Sequence, residues 1–290
     1  MKIPLPDIFS YELCLSFLRR SPKEVLHRLN EDKVTKAIAI DGKAIVFQVS
    51  TSGNHLQVDF LNSSPGPATE DYLARYIREW FDMDTDLTPF YALARKDDLL
   101  KDLVKKFRGY RIVGQPDLFE SLVWAVLGQQ INLQFAYTLK QRFVEEFGER
   151  ITHDGVTYFL FPRPEIVARL TGEDLFPLQF SRQKSNYVKL IGAAFAEGII
   201  SKEKLSQLSF EEAKTELMKI KGIGNWTANY ALMKTFRYPN AFPLEDAGVH
   251  KAIKNLKGMK KKPTLTQVKR FFKNYKGWEA YATLYLWKSL

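Results

Sequence analysis

Residues 217–230 read Leu-Met-Lys-Ile-Lys-Gly-Ile-Gly-Asn-Trp-Thr-Ala-Asn-Tyr, and Phe242-Pro243-Leu244-Glu245-Asp246 follows a short way on. An apolar helical segment, Ala213 to Ile220, stops at Lys221-Gly222-Ile223-Gly224, and a second helical pattern begins at once through Trp226, Tyr230 and Met233. A reversal within so few residues favours residues that tolerate φ > 0, hence glycine at 222 and 224. The N–H groups of Gly224, Asn225 and Trp226 are then left free at a helix N-terminus, which attracts anions. In a basic chain the expected anion is a phosphate. The same Gly-x-Gly also suits a plain αα-hairpin, so the rest of the chain must decide.

Composition narrows the choice. A chain of 290 residues is long enough for one large domain or two moderate ones. A formal charge of +10 and a pI of about 9.4 favour a polyanionic partner. The single cysteine, Cys14, excludes an intramolecular disulfide and any all-cysteine zinc or iron–sulfur site, and fits a reducing compartment. The start, Met-Lys-Ile-Pro-Leu-Pro-Asp, lacks the unbroken apolar run of a signal peptide. No uninterrupted apolar stretch of ~18–20 residues is present, so no membrane span is expected, and the default address is cytoplasmic. His27, His55 and His153 show no metal-ligand spacing.

Working outward from the hairpin, two patterns divide the chain. Residues 12–20 suit a short amphipathic helix. Val34–Ile40, Lys43–Ser50 and His55–Leu61 read as three strands joined by Asp41-Gly42 and Ser52-Gly53-Asn54. Ala37, Ala39, Ile45, Phe47, Val49, Leu56, Val58 and Phe60 alternate as one buried face. Helical spacing returns at Tyr72, Ile77, Trp80 and Phe81. The remainder reads as almost wholly helical, with residues 153–173 as loop. Asp117 caps a helix leading to Gly128-Gln129-Gln130-Ile131-Asn132, and 134–147 resumes as helix. Further helical patterns occupy 182–197, 209–220, 225–236, 246–256, 264–274 and 278–288. The fold class is therefore α+β: an antiparallel-sheet domain over 1–105, then a mainly α region over 106–290.

Between His250 and Lys276 stand ten Lys or Arg and no Asp or Glu. Such a block is either solvated surface or a face for a polyanion.

The segment Ile220 to Tyr230, taken with Phe242-Pro243-Leu244-Glu245-Asp246, resembles the helix-hairpin-helix and Gly/Pro…Asp signature of base-excision DNA glycosylases, closest to the alkylation-repair branch of 3-methyladenine DNA glycosylase II. The resemblance extends over nearly the whole chain, including Leu127-Gly128-Gln129-Gln130-Ile131 and Gly277-Trp278…Tyr281…Trp287. Three positions depart from it: Lys221 replaces a usual proline, Gln130 stands where some relatives carry a leucine wedge, and Lys288 follows Trp287 where an aromatic residue can occur.

The resemblance implies a chemistry and assigns residues to it. Breaking a nucleoside's N-glycosidic bond builds positive charge on the sugar, which a fixed carboxylate stabilises while it orients or deprotonates water. Asp246 is the catalytic candidate; its local sequence equally suits a helix N-cap. Glu245 is expected to point away as surface. Position 226 carries Trp where bifunctional branches carry a nucleophilic Lys, so the resemblance implies a monofunctional hydrolase. Trp226, Tyr230 and Trp287 would form a slot for a cationic alkylated purine, held by cation–π attraction, although aromatics at helical spacing also suit a core. Gln130 would fill the gap left by the extruded base, and Gln129 would order that loop; a plain polar connection is the alternative. Lys221, Gly222, Gly224, Asn225 and Lys251 would hold the DNA backbone. The carbonyls of Met218, Ile220 and Ile223 match positions that hold a monovalent cation, Na+ or K+, while catalysis itself needs no cofactor. His250 is expected to be structural or solvated. The implied partner is double-stranded DNA with alkylated bases, bound by a monomer. An oxidised-purine glycosylase/lyase and a non-catalytic hairpin DNA-binding protein are the alternatives.

Overall fold

The computed structural model describes residues 1–290. Five strands form one antiparallel sheet in the order β1-β5-β4-β3-β2: β1 Lys2–Pro4, β2 His27–Asn30, β3 Lys33–Ile40, β4 Lys43–Ser52 and β5 His55–Phe60. The three central strands are those the alternation predicts. Asp41 and Gly42 turn with φ of 48° and 74°, the two positive angles a tight hairpin requires. The outer strands lie outside the expectation, because three and four residues are too short to show a period.

One predicted face is displaced by a residue. The buried side of β3 carries Val34, Ile38 and Ile40, packed with Ile45, Phe47, Val49, Leu56 and Val58. Ala37 faces the opposite side, against Val46 and Tyr158, and Ala39 is exposed. Alanine is small enough for either side, so alternation at 37 and 39 has no direction. The helices Tyr11–Leu18 and Pro67–Trp80 close the core with Cys14, Leu15, Leu73, Ile77 and Trp80. Burial pushes the Cys14 thiol up to about 12, so it is an inert packing group.

The region after 147 is not purely helix and loop. A second hairpin, β6 Arg150–His153 and β7 Val156–Phe159, turns at Asp154-Gly155 and lays Tyr158 on the outer face of the sheet. An Asp-Gly pair signals such a turn, and its four-residue strands are too short to reveal themselves by period.

A larger core gathers the helices from Thr88–Ala94 to Glu279–Lys288. Its axis is the helix Leu118–Gly128, in which every residue from Leu118 to Leu127 is buried. A helix buried all round, and apolar but for Glu120 and Ser121, needs neighbours on all sides, and it gets them. Asp117 caps it, accepting from the Glu120 N–H at 3.0 Å. The buried Lys140 Nζ donates to Glu24 at 3.0 Å and to Glu120 at 3.1 Å, tying the segment after the first helix to the helical body. No helix is long and apolar enough to cross a membrane.

Candidate active site

The hairpin joins the helices Phe210–Met218 and Asn225–Ala231, the second continuing as a π-helical turn over Leu232–Phe236. Its two glycines differ. Gly222 has φ of 101°, and a Cβ there would lie 2.3 Å from the Tyr187 ring. Gly224 is extended, φ −91° and ψ −177°, with open space where its Cβ would be. Only Gly222 needs a left-handed backbone, which corrects the expectation for the pair. The first helical bond is donated by Ala228 to Gly224 O at 3.0 Å, so the N–H groups of Gly224, Asn225 and Trp226 lie ahead of it. Lys221 is exposed beside them.

Asn225 is already engaged: its Nδ2 lies 3.0 Å from both oxygens of Glu245. Glu245 is exposed, but it is not idle surface as expected, since it sits at the cleft mouth and fixes the hairpin to the following loop. The Ile220 carbonyl accepts from the Ile223 N–H at 3.0 Å, whereas the Met218 and Ile223 carbonyls accept no hydrogen bond from the protein. All three residues line the cleft.

The loop 242–246 is set by local bonds. Asn229 Oδ1 accepts from the Phe242 N–H at 2.8 Å, and the Asp246 N–H donates to Pro243 O at 2.9 Å. Each ring nitrogen of His250 lies 3.0 Å from a carbonyl, those of Pro263 and Leu244, so this histidine braces the loop from behind.

Asp246 is an N-cap and a cleft residue at once. Its Oδ1 accepts from the Val249 N–H at 2.9 Å and from Trp287 Nε1 at 2.7 Å, while Oδ2 accepts from Trp226 Nε1 at 3.0 Å. The cap expected from the sequence is present, and it leaves the carboxylate lining the cleft. Gly248 makes room: a Cβ there would lie 2.9 Å from Asp246 Oδ1 and 3.1 Å from Trp287 Cδ1.

The aromatic set converges on the same place. Trp226 stacks on Tyr230 with centroids 5.3 Å apart, and Trp287 lies 6.3 Å from Tyr230. Both tryptophans are half-buried, whereas Tyr230 is a buried wall whose hydroxyl accepts from Trp124 Nε1 at 2.9 Å. They line a cleft of about 1580 Å³, far more than one nucleobase occupies, and Lys221, Gln130 and Lys251 line it too. Gln130 is exposed with φ of 58°. Gln129 turns inward, donating to Gly222 O at 3.0 Å and Thr227 Oγ1 at 2.9 Å, which locks its loop to the hairpin.

Sequence reading missed several contributors. Lys184 Nζ donates to the carbonyls of Val126, Leu127 and Gln129 at 2.8, 2.9 and 2.7 Å, closing the C-terminal end of the central helix beneath Gln130. Burial pulls its pKa down to about 8. Trp124 and Tyr137, 4.7 Å apart, extend the aromatic wall. Arg20 enters the cleft from the sheet domain. None of these has a local motif; the Arg19-Arg20 pair reads as ordinary charge at the end of a helix.

Nine of the ten basic residues between His250 and Lys276 are exposed, Lys254 being half-buried, and none forms an ion pair. They lie on, between and just after the helices Ala247–Leu256 and Leu265–Phe272, next to the cleft that Lys251 enters. No group of three or more His, Cys, Asp or Glu side chains could hold a metal.

Comparison with known proteins fits this geometry. Residues 123–277 match the HhH-GPD superfamily of base excision DNA repair proteins, and residues 25–122 match the 8-oxoguanine DNA glycosylase N-terminal domain. The chain belongs to the HhH-GPD superfamily. It is 45% identical to the DNA-3-methyladenine glycosylase of Bacillus subtilis, over 99% of this chain and 96% of that one. Among solved structures, a 3-methyladenine DNA-glycosylase from Archaeoglobus fulgidus superposes with a TM-score of 0.86 at 23% identity, covering 99% of this chain and 97% of that one. A Schizosaccharomyces pombe 3-methyladenine DNA glycosylase, solved in complex with abasic DNA, gives a TM-score of 0.60 at 28% identity over 69% of this chain and 96% of that one.

Proposed function

We propose that this protein is a monofunctional DNA glycosylase that extrudes alkylated purines, 3-methyladenine, 7-methylguanine and similar bases, from duplex DNA and hydrolyses their N-glycosidic bond. It is a hydrolase of N-glycosyl bonds in base excision repair, as its family and its near full-length relative indicate. The observation that carries the finer reading is the Asp246 carboxylate, bonded by the indole N–H groups of two tryptophans that wall the cleft.

In this reading the base enters between Trp226 and Trp287, where π-faces attract a cationic purine by roughly 0.5–2 kcal/mol per contact. Asp246 lies against the deoxyribose and stabilises the charge that develops as the bond to the base lengthens. Water attacks C1′ and passes a proton to Asp246. An alkylated cation already leaves as a neutral molecule, so no general acid is needed. Trp226 offers no amine, hence no Schiff base forms.

Gln130 occupies the gap in the duplex, on a loop held by Gln129 and Lys184. The backbone N–H groups at Gly224 and Asn225, with Gly222 setting the turn and the open face of Gly224 allowing close approach, take a phosphate flanked by Lys221 and Lys251. Because the Asn225 side chain is tied to Glu245, its part falls to its main chain. The unpartnered carbonyls of Met218 and Ile223, with that of Ile220, suit a hard monovalent cation, Na+ or K+, which would place positive charge beside the phosphate. The protein would act in the cytoplasm as a monomer.

The test is release of free base from dimethyl sulfate-methylated duplex, resolved by chromatography, with borohydride present in a parallel reaction. The proposal expects free 3-methyladenine and 7-methylguanine and no trapped protein–DNA adduct. Absence of free base would refute the activity; a robust adduct would point to a lyase.

A further inference from the structure

One end of the aromatic slot carries a guanidinium that the reaction above does not use. Arg20 lies two residues beyond the helix Tyr11–Leu18 and reaches from the sheet domain into the cleft. Its Nε donates to the Tyr137 hydroxyl. Its Cζ lies 3.9 Å from the Phe17 ring centroid, 5.3 Å from Tyr137 and 5.8 Å from Trp124. Its terminal nitrogens make no well-aligned hydrogen bond in the protein, although the Tyr230 hydroxyl lies beside the guanidinium, and no carboxylate forms an ion pair with it. A guanidinium offers donors only and stays charged. Arg20 is thus a fixed, unneutralised cation with open donors in the base cleft.

The slot has a direction. Tyr230 stacks on Trp226, whose N–H binds Asp246. The Tyr230 hydroxyl is bonded to Trp124, whose ring flanks Arg20. The carboxylate and the guanidinium are therefore the two termini of one chain of aromatic contacts, Trp226, Tyr230 and Trp124. A purine with its sugar at Asp246 would turn the edge remote from the glycosidic nitrogen toward Arg20.

We infer that Arg20 recognises neutral purines with an acceptor on that remote edge, 6-oxo purines such as hypoxanthine, and promotes their departure. The inference rests on the glycosylase reading. A cationic alkylpurine gains nothing from a second cation and departs neutral. A neutral purine departs with the electron pair of the C1′–N9 bond and becomes an anion whose charge spreads to its ring nitrogens and O6. Donors fixed at that edge stabilise the charge as it forms. The step balances: water oxygen bonds to C1′, the C1′–N9 bond breaks with its pair going to the purine, a water proton passes through Asp246 to solvent, and the purine anion takes a proton from solvent. The aromatic walls would then serve cationic lesions and Arg20 the neutral ones.

The experiment measures single-turnover release of hypoxanthine from an inosine-containing duplex and of 3-methyladenine from methylated DNA, using the full chain and its R20Q and R20K variants. The expected result is a hypoxanthine-to-3-methyladenine rate ratio at least tenfold lower in R20Q and partly restored in R20K, which keeps the charge. An unchanged ratio in R20Q, or no hypoxanthine release by the unmodified protein while 3-methyladenine is released, overturns the inference. Release of neither base by the unmodified protein refutes the glycosylase reading itself, so the two failures are distinct.

Discussion

The indole N–H of Trp287 donates to Oδ1 of Asp246 at 2.7 Å, joining residues 41 positions apart. The last helix, Glu279–Lys288, thereby helps aim the carboxylate that the first turn of Ala247–Leu256 presents. Aromatic wall and carboxylate form one unit, since Trp226 makes the matching bond to Oδ2 at 3.0 Å.

Replacing Trp287 with Phe keeps a ring in the wall and removes the N–H. Loss of a charge-assisted hydrogen bond costs about 1.5–3 kcal/mol. We therefore expect single-turnover base release from methylated DNA to fall by roughly ten- to a hundredfold, at 1.4 kcal/mol per decade. Affinity for undamaged duplex should be retained. A variant as fast as the unmodified protein would show that this bond does not serve the reaction.

The two hairpin glycines separate folding from binding. Gly222→Ala puts a methyl group 2.3 Å from the Tyr187 ring at φ 101°, so a loss of about 2–4 kcal/mol is expected in chemical denaturation. Gly224→Ala meets open space on an extended backbone and should unfold like the unmodified protein. Its methyl group stands where a phosphate would approach, so duplex affinity should fall about tenfold, roughly the worth of one charge-assisted bond. Unfolding at the same midpoint in G222A, or undiminished duplex affinity in G224A, would contradict the respective half.

Acid stability reports on the buried ion cluster. Burial pushes the Glu24 carboxyl up, but the Lys140 ammonium and His27 beside it and the Leu26 N–H outweigh that and hold it at about 2. A carboxyl depressed from its ordinary 4.5 contributes its full stabilisation above that pH and loses it as pH falls toward 2. The contribution is on the order of 3 kcal/mol, at 1.36 per pKa unit. Glu24→Gln should flatten the decline in unfolding free energy between pH 4.5 and 2 and lower stability near neutrality. Identical acid slopes would show that the cluster is not linked to folding.

Much of the site was legible in the sequence because its parts are local. The turn at Gly222, the cap at Asp246 and the i, i+4 pair Trp226 and Tyr230 each follow from neighbours within one helical turn. What was not legible depends on chain crossings. Arg20 and Trp124 are brought to the cleft, and Lys184 to the loop behind Gln130, by packing between distant segments, and nothing beside them in the sequence marks them. The strands missed were those too short to show a period, and the mistaken face of β3 rested on two alanines, whose size suits either side. Glu245 read as surface because its partner Asn225 lies 20 residues away across the cleft mouth.

The most direct measurement is single-turnover release of 3-methyladenine from methylated duplex by Asp246→Asn. Asparagine keeps the N-cap and one acceptor for the indoles, so the fold and duplex binding should persist. Without the negative charge at the sugar, release should fall by two orders of magnitude or more, at roughly 3 kcal/mol of lost stabilisation. Release at the unmodified rate, with binding unchanged, would contradict the account.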